Sequence, residues 1–210
     1  MRYLSILITG IFVLCFFGSS FAGKPKEIVL PLIIDISGPY APITAPAYAG
    51  FADAAEYVNK QGGIKGVPVK PIIRDCGGRV NVAISHYMEF REMKPKPLII
   101  MISVSAEGEA LRERLAEDGI AAMCVPGGTA IYPVAYTFAL YPLYQDMFGG
   151  FMDWVVENWN HEKMGRRPRI GILTWDTTFG RAILTPEVYD YAKKKNIDIV
   201  DKVMFSVRDL

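Results

Sequence analysis

Serine, threonine and glycine residues directly follow two apolar runs of the sequence, and they are the residues best suited to hold a small solute. Ser105 stands where one apolar run gives way to a helical pattern, and Gly127, Gly128 and Thr129 follow the next run. Hydroxyls and unhindered backbone N–H groups near a helix N-terminus can bind a carboxylate. Two alternatives stay open, because Ser105 also suits a helix N-cap and the glycine bend also suits a plain turn.

The sequence contains none of the common catalytic or metal-binding motifs. It has no phosphate loop, no H-E-x-x-H and no G-x-S-x-G, and its two histidines, His86 and His161, have no partners at ligand spacing. We therefore expect a binding protein rather than an enzyme, with no metal site and no cofactor.

The N-terminus has the pattern of a cleavable signal peptide over residues 1–22. Arg2 precedes an apolar segment over 4–17, and Ser20 and Ala22 supply small residues at the −3 and −1 positions of a cleavage site. The apolar segment is shorter than the roughly 20 residues that span a bilayer. Cys15 lies inside this segment without small residues before it, which argues against a lipoprotein. We expect export to the periplasm.

The mature chain is electrically balanced. The whole sequence has 23 basic and 22 acidic residues, and residues 1–22 contain one arginine and no acid. The remaining 22 basic and 22 acidic residues give no net attraction for nucleic acid or an anionic membrane.

A strand, a helix and a second strand are predicted between residues 28 and 73. The apolar runs 28–34 and 67–73 flank a helical pattern that ends at Gln61-Gly62-Gly63. The inward face of that helix is expected to hold Ala47, Phe51, Ala54, Ala55 and Val58. Such a unit starts a parallel sheet, whose ligands bind beyond the carboxyl ends of the strands. The loop 37–42 is therefore the first candidate for function.

The rest of the pattern predicts an α/β protein of two lobes. The first lobe covers 23–141 and the second begins at 142, with a long helix over 145–160 whose inward residues include Phe151. The strand order 2-1-3-4 separates Cys76 from Cys124 by two strands, which predicts two free thiols. The second lobe has only two strands, which leave apolar surface uncovered. The sequence thus has the pattern of an N-terminal fragment or a truncated reading frame.

The first strand, the tripeptide Ser37-Gly38-Pro39 and a helix ending in residues 58–66 together resemble the periplasmic solute-binding proteins of the Leu/Ile/Val-binding family. Their fold is the type I periplasmic-binding fold, with two Rossmann-like lobes, and its members are roughly twice as long as this chain. The resemblance continues to Leu210.

The resemblance implies a binding site between the lobes. Ser105, Gly127, Gly128 and Thr129 fall on positions that bind the α-carboxylate and α-ammonium of an amino acid in similar proteins. Phe179, in the loop 175–180, falls where a tyrosine is frequent and would cover the ligand by packing. Tyr40 borders the cleft without matching a family contact, so an exposed position and a ligand wall both stay open for it.

The implied function is that of an extracytoplasmic binding protein of an ABC importer, which captures an amino acid or a related carboxylate and presents it to a membrane permease. A ligand-sensing ectodomain with the same fold is the alternative. A periplasmic α/β enzyme is a third class, which the absence of catalytic motifs disfavours.

Overall fold

The structure is a computed structural model that describes residues 25–128 and 135–206. Within these residues, strands and helices alternate along the chain. The strands are β1 (Ile28–Ile34), β2 (Val69–Asp75), β3 (Ile99–Ile102), β4 (Ala121–Cys124), β5 (Thr137–Ala139), β6 (Arg169–Trp175) and β7 (Asp198–Phe205). The helices are α1 (Ala41–Lys60), α2 (Val80–Arg91), α3 (Ser105–Asp118), α4 (Tyr144–Asn158), α5 (His161–Met164), α6 (Thr178–Arg181) and α7 (Pro186–Lys194).

The first five strands form one parallel sheet in the order β2-β1-β3-β4-β5, which confirms the predicted order 2-1-3-4. Strand β1 pairs with β2 along its whole length, from Ile28 opposite Val69 to Ile34 opposite Asp75. Because all five strands run the same way, their carboxyl ends meet at one edge of the sheet. The candidate binding residues named from the sequence lie in the loops at this edge.

Helices α2 and α3 cover one face of this sheet and form its main core. The buried face of α2 consists of Ala83, Tyr87 and Phe90, which are fully enclosed. The Tyr87 hydroxyl donates to Asp118 Oδ2 over 2.6 Å, so its one polar atom is satisfied at the rim of the core. Leu143, just beyond β5, belongs to the same core cluster.

Helix α1 differs from its sequence prediction at both its start and its buried face. It begins at Ala41, so Pro42 lies in its first turn, where a missing N–H costs nothing. Ala47 and Ala54 were expected to face inward but are exposed, while Thr44 and Ala55 are buried. Apolar residues recur on more than one side of this helix, so the sequence pattern does not select the covered side.

Strands β6 and β7 form a second parallel sheet, which packs against α4 and α7. Met152 and Val188 are central to this smaller core. Phe151 was predicted to face inward, but it is 46% exposed and stacks on Trp154 along the outer side of α4. Met152 is the buried residue of α4 and lies on the side that contacts α7.

The other surface of the second sheet is apolar and open. Leu173 is 72% exposed and Val203 is 53% exposed. This agrees with the expectation that two strands leave apolar sheet surface uncovered.

Cys76 and Cys124 are both buried and free, as the strand order predicted. Residues 1–24, which include the predicted signal peptide, lie outside the described residues. None of the helices in residues 25–128 and 135–206 combines the length and the hydropathy needed to traverse a bilayer.

Candidate ligand-binding cleft

A cavity of about 510 Å³ lies between the two sheets. Its walls come from segments that directly follow β1, β3, β4, β5 and β6, so it occupies the carboxyl edge of the five-stranded sheet and faces the end of β6. Its volume falls within the range of small-molecule sites, which is roughly 300–1,000 Å³. Tyr40, Ser105 and Phe179, three of the candidates named from the sequence, are among the residues that line it.

The loop after β1 is held by a buried carboxylate that positions Tyr40. Asp35 has no exposed surface, and its two side-chain oxygens accept the N–H groups of Gly38 (2.5 Å) and Tyr40 (2.9 Å). A Cβ at Gly38 would lie 2.7 Å from Asp35 Oδ1 and closer still to Gly77 O, so only glycine fits. The half-buried Tyr40 ring forms part of the cavity wall, and burial raises the pKa of its hydroxyl.

Ser105 is the first residue of α3, and the N-cap is Val104, so the N-cap alternative for Ser105 is wrong. The buried Ser105 hydroxyl donates to Pro126 O over 2.8 Å, which ties the turn after β3 to the turn after β4. A hydroxyl has one proton to donate. To donate to a ligand, Ser105 must therefore release Pro126, whereas the free N–H groups in the first turn of α3 need no such exchange.

Gly127 and Gly128 lie beside the cavity and do not line it. Gly127 packs on α3, because a Cβ there would meet Glu109 Oε1 and lie 3.3 Å from Ser105 Cβ. Gly128 N donates to Glu109 Oε1 over 3.3 Å. Burial raises the pKa of Glu109, a residue that the sequence analysis did not single out. Thr129 lies outside the described residues, so ligand contacts at this bend remain predictions.

Phe179 and Trp175 form the wall that belongs to the second sheet. Trp175 ends β6, and Phe179 lies in the short helix α6 with its ring centroid 6.3 Å from that of Trp175. Thr177 caps α6 by accepting Gly180 N over 3.3 Å. A Cβ at Gly180 would collide with Trp175 O, so this turn requires glycine to bring Phe179 over the cavity.

Two tyrosines that the sequence analysis did not name as site residues complete the wall. Tyr141 and Tyr144 share a hydroxyl–hydroxyl hydrogen bond of 2.8 Å, and the ring of Tyr144 meets Phe179 edge-on with centroids 4.5 Å apart. Burial raises the pKa of Tyr144. Their position immediately after β5, at the same sheet edge as the other loops, is the signal that could have identified them.

Glu107, in the first turn of α3, and Asp35, in the loop after β1, are buried acids that do not line the cavity. Glu107 is 1% exposed, its Oε1 accepts from Cys76 Sγ over 3.8 Å, and its Oε2 has no partner. Burial raises the pKa of Glu107, and the charge of Asp35 raises it further. Within the described residues, no group of three His, Cys, Asp or Glu side chains is placed to hold a metal ion.

The fold and the cavity together define a ligand-binding α/β protein, with its site at the carboxyl ends of parallel strands and between two sheets. The sequence profile described as periplasmic binding protein matches residues 27–209. The chain belongs to this family, whose members are binding proteins rather than enzymes.

Solved structures of similar fold are substrate-binding proteins of transporters. A branched chain amino acid ABC transporter protein from Thermus thermophilus with bound valine has a TM-score of 0.76 and 17% identity, covering 86% of this chain and 46% of that one. A fatty acid ABC transporter substrate-binding protein from Thermomonospora curvata has a TM-score of 0.75 and 21% identity, and the match covers 89% of this chain and 46% of that one.

An ABC transporter substrate-binding protein from Desulfitobacterium hafniense in complex with Leu has a TM-score of 0.68 and 16% identity, and the match covers 86% of this chain and 51% of that one. At these identities the similarity establishes the type I periplasmic binding fold. The chain spans about half the length of the solved structures that it matches. A comparison with curated proteins gives no match.

Proposed function

We propose that the protein is an extracytoplasmic solute-binding protein of an ABC importer. The observation that carries this proposal is the cavity of about 510 Å³ at the carboxyl edge of the first sheet, closed on its other side by residues that follow β6. Membership of the periplasmic binding protein family and the transporter titles of the similar structures support it.

The proposed ligand is a small solute, an amino acid or a related carboxylate. The similar structures include proteins with bound valine, in complex with Leu, and of a fatty acid transporter, and all three ligands carry a carboxylate. In this chain Ser105 and Ala106, the first two residues of α3, line the cavity, and the helix dipole favours an anion there. Ser105, Gly127, Gly128, Thr129, Tyr40 and Phe179 remain the proposed contacts.

The proposed mechanism is closure of the second lobe over a ligand that first binds the first lobe. We place the lobe boundary at 141–142 and the rotation near 140–144, where the chain passes from β5 into α4. Closure removes water from the ligand, so each polar group on it needs a hydrogen bond from the loops. The closed form would be recognised by a permease.

The proposed location is the periplasm, reached through a signal peptide that is cleaved after Ala22. Expression in a bacterium with an intact export pathway, followed by N-terminal sequencing of the periplasmic fraction, should show a chain that begins at Gly23. A full-length chain in the cytoplasm would contradict this.

Ligand binding is tested with the mature chain in a thermal-shift screen of amino acids and simple carboxylates, with titration calorimetry on each compound that raises Tm. Thr129→Val should weaken binding by about 1–3 kcal/mol if its hydroxyl contacts the ligand. Ser85→Ala is the matched control, since that hydroxyl only bonds Asn81 O on α2. If no compound in the screen raises Tm, the proposal is wrong.

Transport and sensing share this binding step and differ in the partner. Uptake of the identified ligand by cells that express the protein together with a permease encoded beside it would support import. Binding without any effect on uptake would favour the sensing ectodomain.

A further inference from the structure

Five aromatic side chains form an unbroken series of ring contacts along the cavity wall. The centroid distances are 5.6 Å for Tyr40–Trp175, 6.3 Å for Trp175–Phe179, 4.5 Å for Phe179–Tyr144 and 6.0 Å for Tyr144–Tyr141. The rings come from the loops after β1 and β5, the start of α4, the end of β6 and helix α6. Three of the four pairs meet edge to face, so ring faces as well as edges are available along the wall.

The lining offers no charged partner for an ammonium group. Among the described residues that line the cavity there is no Asp, Glu, Lys, Arg or His. The nearby acid Glu107 belongs to the first turn of α3, but it is buried and does not line the cavity. Contact with aromatic ring faces returns at most about 2 kcal/mol to an ammonium group, which is less than the several kcal/mol that it loses on leaving water without an anionic partner. The described wall therefore disfavours a free amino acid relative to the same molecule without its amino group.

The hydroxyl side chains of the lining come from Thr44, Ser103 and Ser105 on the side of the first sheet, and from Thr178 and three tyrosines elsewhere. The Ser103 oxygen has no hydrogen-bond partner among the described residues, but it is fully enclosed next to the first turn of α3 and does not open onto the cavity. The hydroxyls of Ser105 and Thr44 are already engaged with the carbonyl oxygens of Pro126 and Tyr40. The start of α3, where helix N–H groups lack an intrahelical acceptor, suits a single carboxylate end, while aromatic rings line the opposite part of the cavity.

We propose that the preferred ligand is an aromatic carboxylate without an ammonium group, bound with its ring against Trp175 and Phe179 and its carboxylate toward the first turn of α3. This rests on the proposed function and narrows its ligand class from amino acids and related carboxylates to one chemistry.

The test compares compounds that differ by one feature, using titration calorimetry on the mature chain. 3-Phenylpropionate and L-phenylalanine differ only in the ammonium group, and 3-cyclohexylpropionate differs from the first only in its saturated ring. We expect 3-phenylpropionate to bind at least about tenfold more tightly than L-phenylalanine and about threefold to tenfold more tightly than 3-cyclohexylpropionate.

Other outcomes separate this inference from the proposed function. L-phenylalanine, L-leucine or L-valine binding as tightly as 3-phenylpropionate overturns the inference and leaves a solute-binding protein. Equal binding of the cyclohexyl compound overturns the role assigned to the rings. Absence of binding by every compound overturns both the inference and the function on which it rests.

Variants test the wall itself. Trp175→Leu and Phe179→Leu keep an apolar side chain and remove a ring, so each should reduce the preference for the phenyl over the cyclohexyl compound toward onefold. Trp154→Leu is the control, since Trp154 is 58% exposed on α4 and does not line the cavity. Its preference should stay unchanged. Unaltered preference in both wall variants, with Tm showing that they fold, would refute the inference.

Discussion

Tyr40 and Trp175 face each other across the cleft, with ring centroids 5.6 Å apart and planes inclined at 48°. Tyr40 is fixed by its N–H bond to the buried carboxylate of Asp35, while Trp175 is the last residue of β6. The contact therefore joins a rigid loop of the first sheet to a strand end of the second. Any separation of the two sheets must break it, so these two rings report on the state of the cleft.

Trp175 should act as a fluorescent reporter of ligand binding. The sequence has three tryptophans, and of these Trp154 and Trp159 lie outside the cavity lining. In a Trp154→Phe/Trp159→Phe variant, we expect the emission of Trp175 to change on addition of the ligand that the thermal-shift screen identifies, because binding removes water from the indole.

The complementary variant is Trp175→Phe, which keeps the two outer tryptophans. It should lose the spectral change while calorimetry still detects binding. A spectral change that persists in Trp175→Phe would show that the signal arises on α4 and not in the cleft.

Gly38→Ala should destabilise the loop after β1. The added Cβ would lie 2.7 Å from Asp35 Oδ1 and closer to the backbone of Gly77, so the loop or the carboxylate must move. We expect a loss of about 1–3 kcal/mol in the free energy of unfolding, as for other overpacked sites. Urea unfolding followed by circular dichroism measures it.

Gly50→Ala is the matched control for this substitution. Gly50 lies inside α1 with no atom within 4 Å of an added Cβ, so alanine should raise stability by about 0.5–1 kcal/mol. If the two substitutions change the free energy of unfolding equally, the loop at Gly38 accommodates the added Cβ without loss of stability.

The strands of this fold could be predicted from the sequence because a short, continuous apolar run is buried on both faces only in the interior of a parallel sheet. The run 28–34 became β1 with the predicted ends, and the glycines at 62 and 63 ended α1 as expected, both at positive φ. The sheet order followed from the parallel connections. These features depend on local chemistry and on the few topologies that parallel strands allow.

The cleft could be predicted only in part, because its wall depends on contacts between distant segments. Tyr40 and Phe179 were placed near it by their strand ends. Tyr141 and Tyr144 were missed because their place in the wall depends on the contact between Tyr144 and Phe179, which lie 35 positions apart in the sequence. The hydrogen bond from Gly128 N to Glu109 Oε1 joins residues 19 positions apart in the sequence, and no rule of sequence spacing predicts it.

Cys76 and Cys124 should resist thiol reagents in the folded protein. Burial raises the pKa of Cys76 to about 11 and that of Cys124 to about 12. Because the thiolate is the reacting form, we expect labelling at about pH 8 to be at least about 100-fold slower than for free cysteine. Two thiols should react rapidly once denaturant is added, and rapid labelling of the native protein would contradict the burial of both residues.

Glu107 should make the stability of the protein depend on pH. Burial raises its pKa above the ordinary value of 4.5, with a further contribution from Asp35. Between the two pKa values the folded chain holds a proton that the unfolded chain has released. The free energy of unfolding therefore falls as pH rises from about 4.5 through the folded pKa, and it stays lower above it.

Glu107→Gln should remove this loss, since the amide is neutral throughout. The stability gained by the variant over the wild type should grow with pH, by about 1.4 kcal/mol for each tenfold difference in proton affinity between the folded and unfolded states. Urea unfolding at several pH values between about 5 and 8 measures it. Glu113→Gln is the control on the same helix, because the Glu113 side chain is 72% exposed, and it should leave the pH profile unchanged. Parallel profiles for the wild type and Glu107→Gln would mean that Glu107 is already ionised in the folded protein, and that Cys76 and Asp35 tolerate its charge without cost.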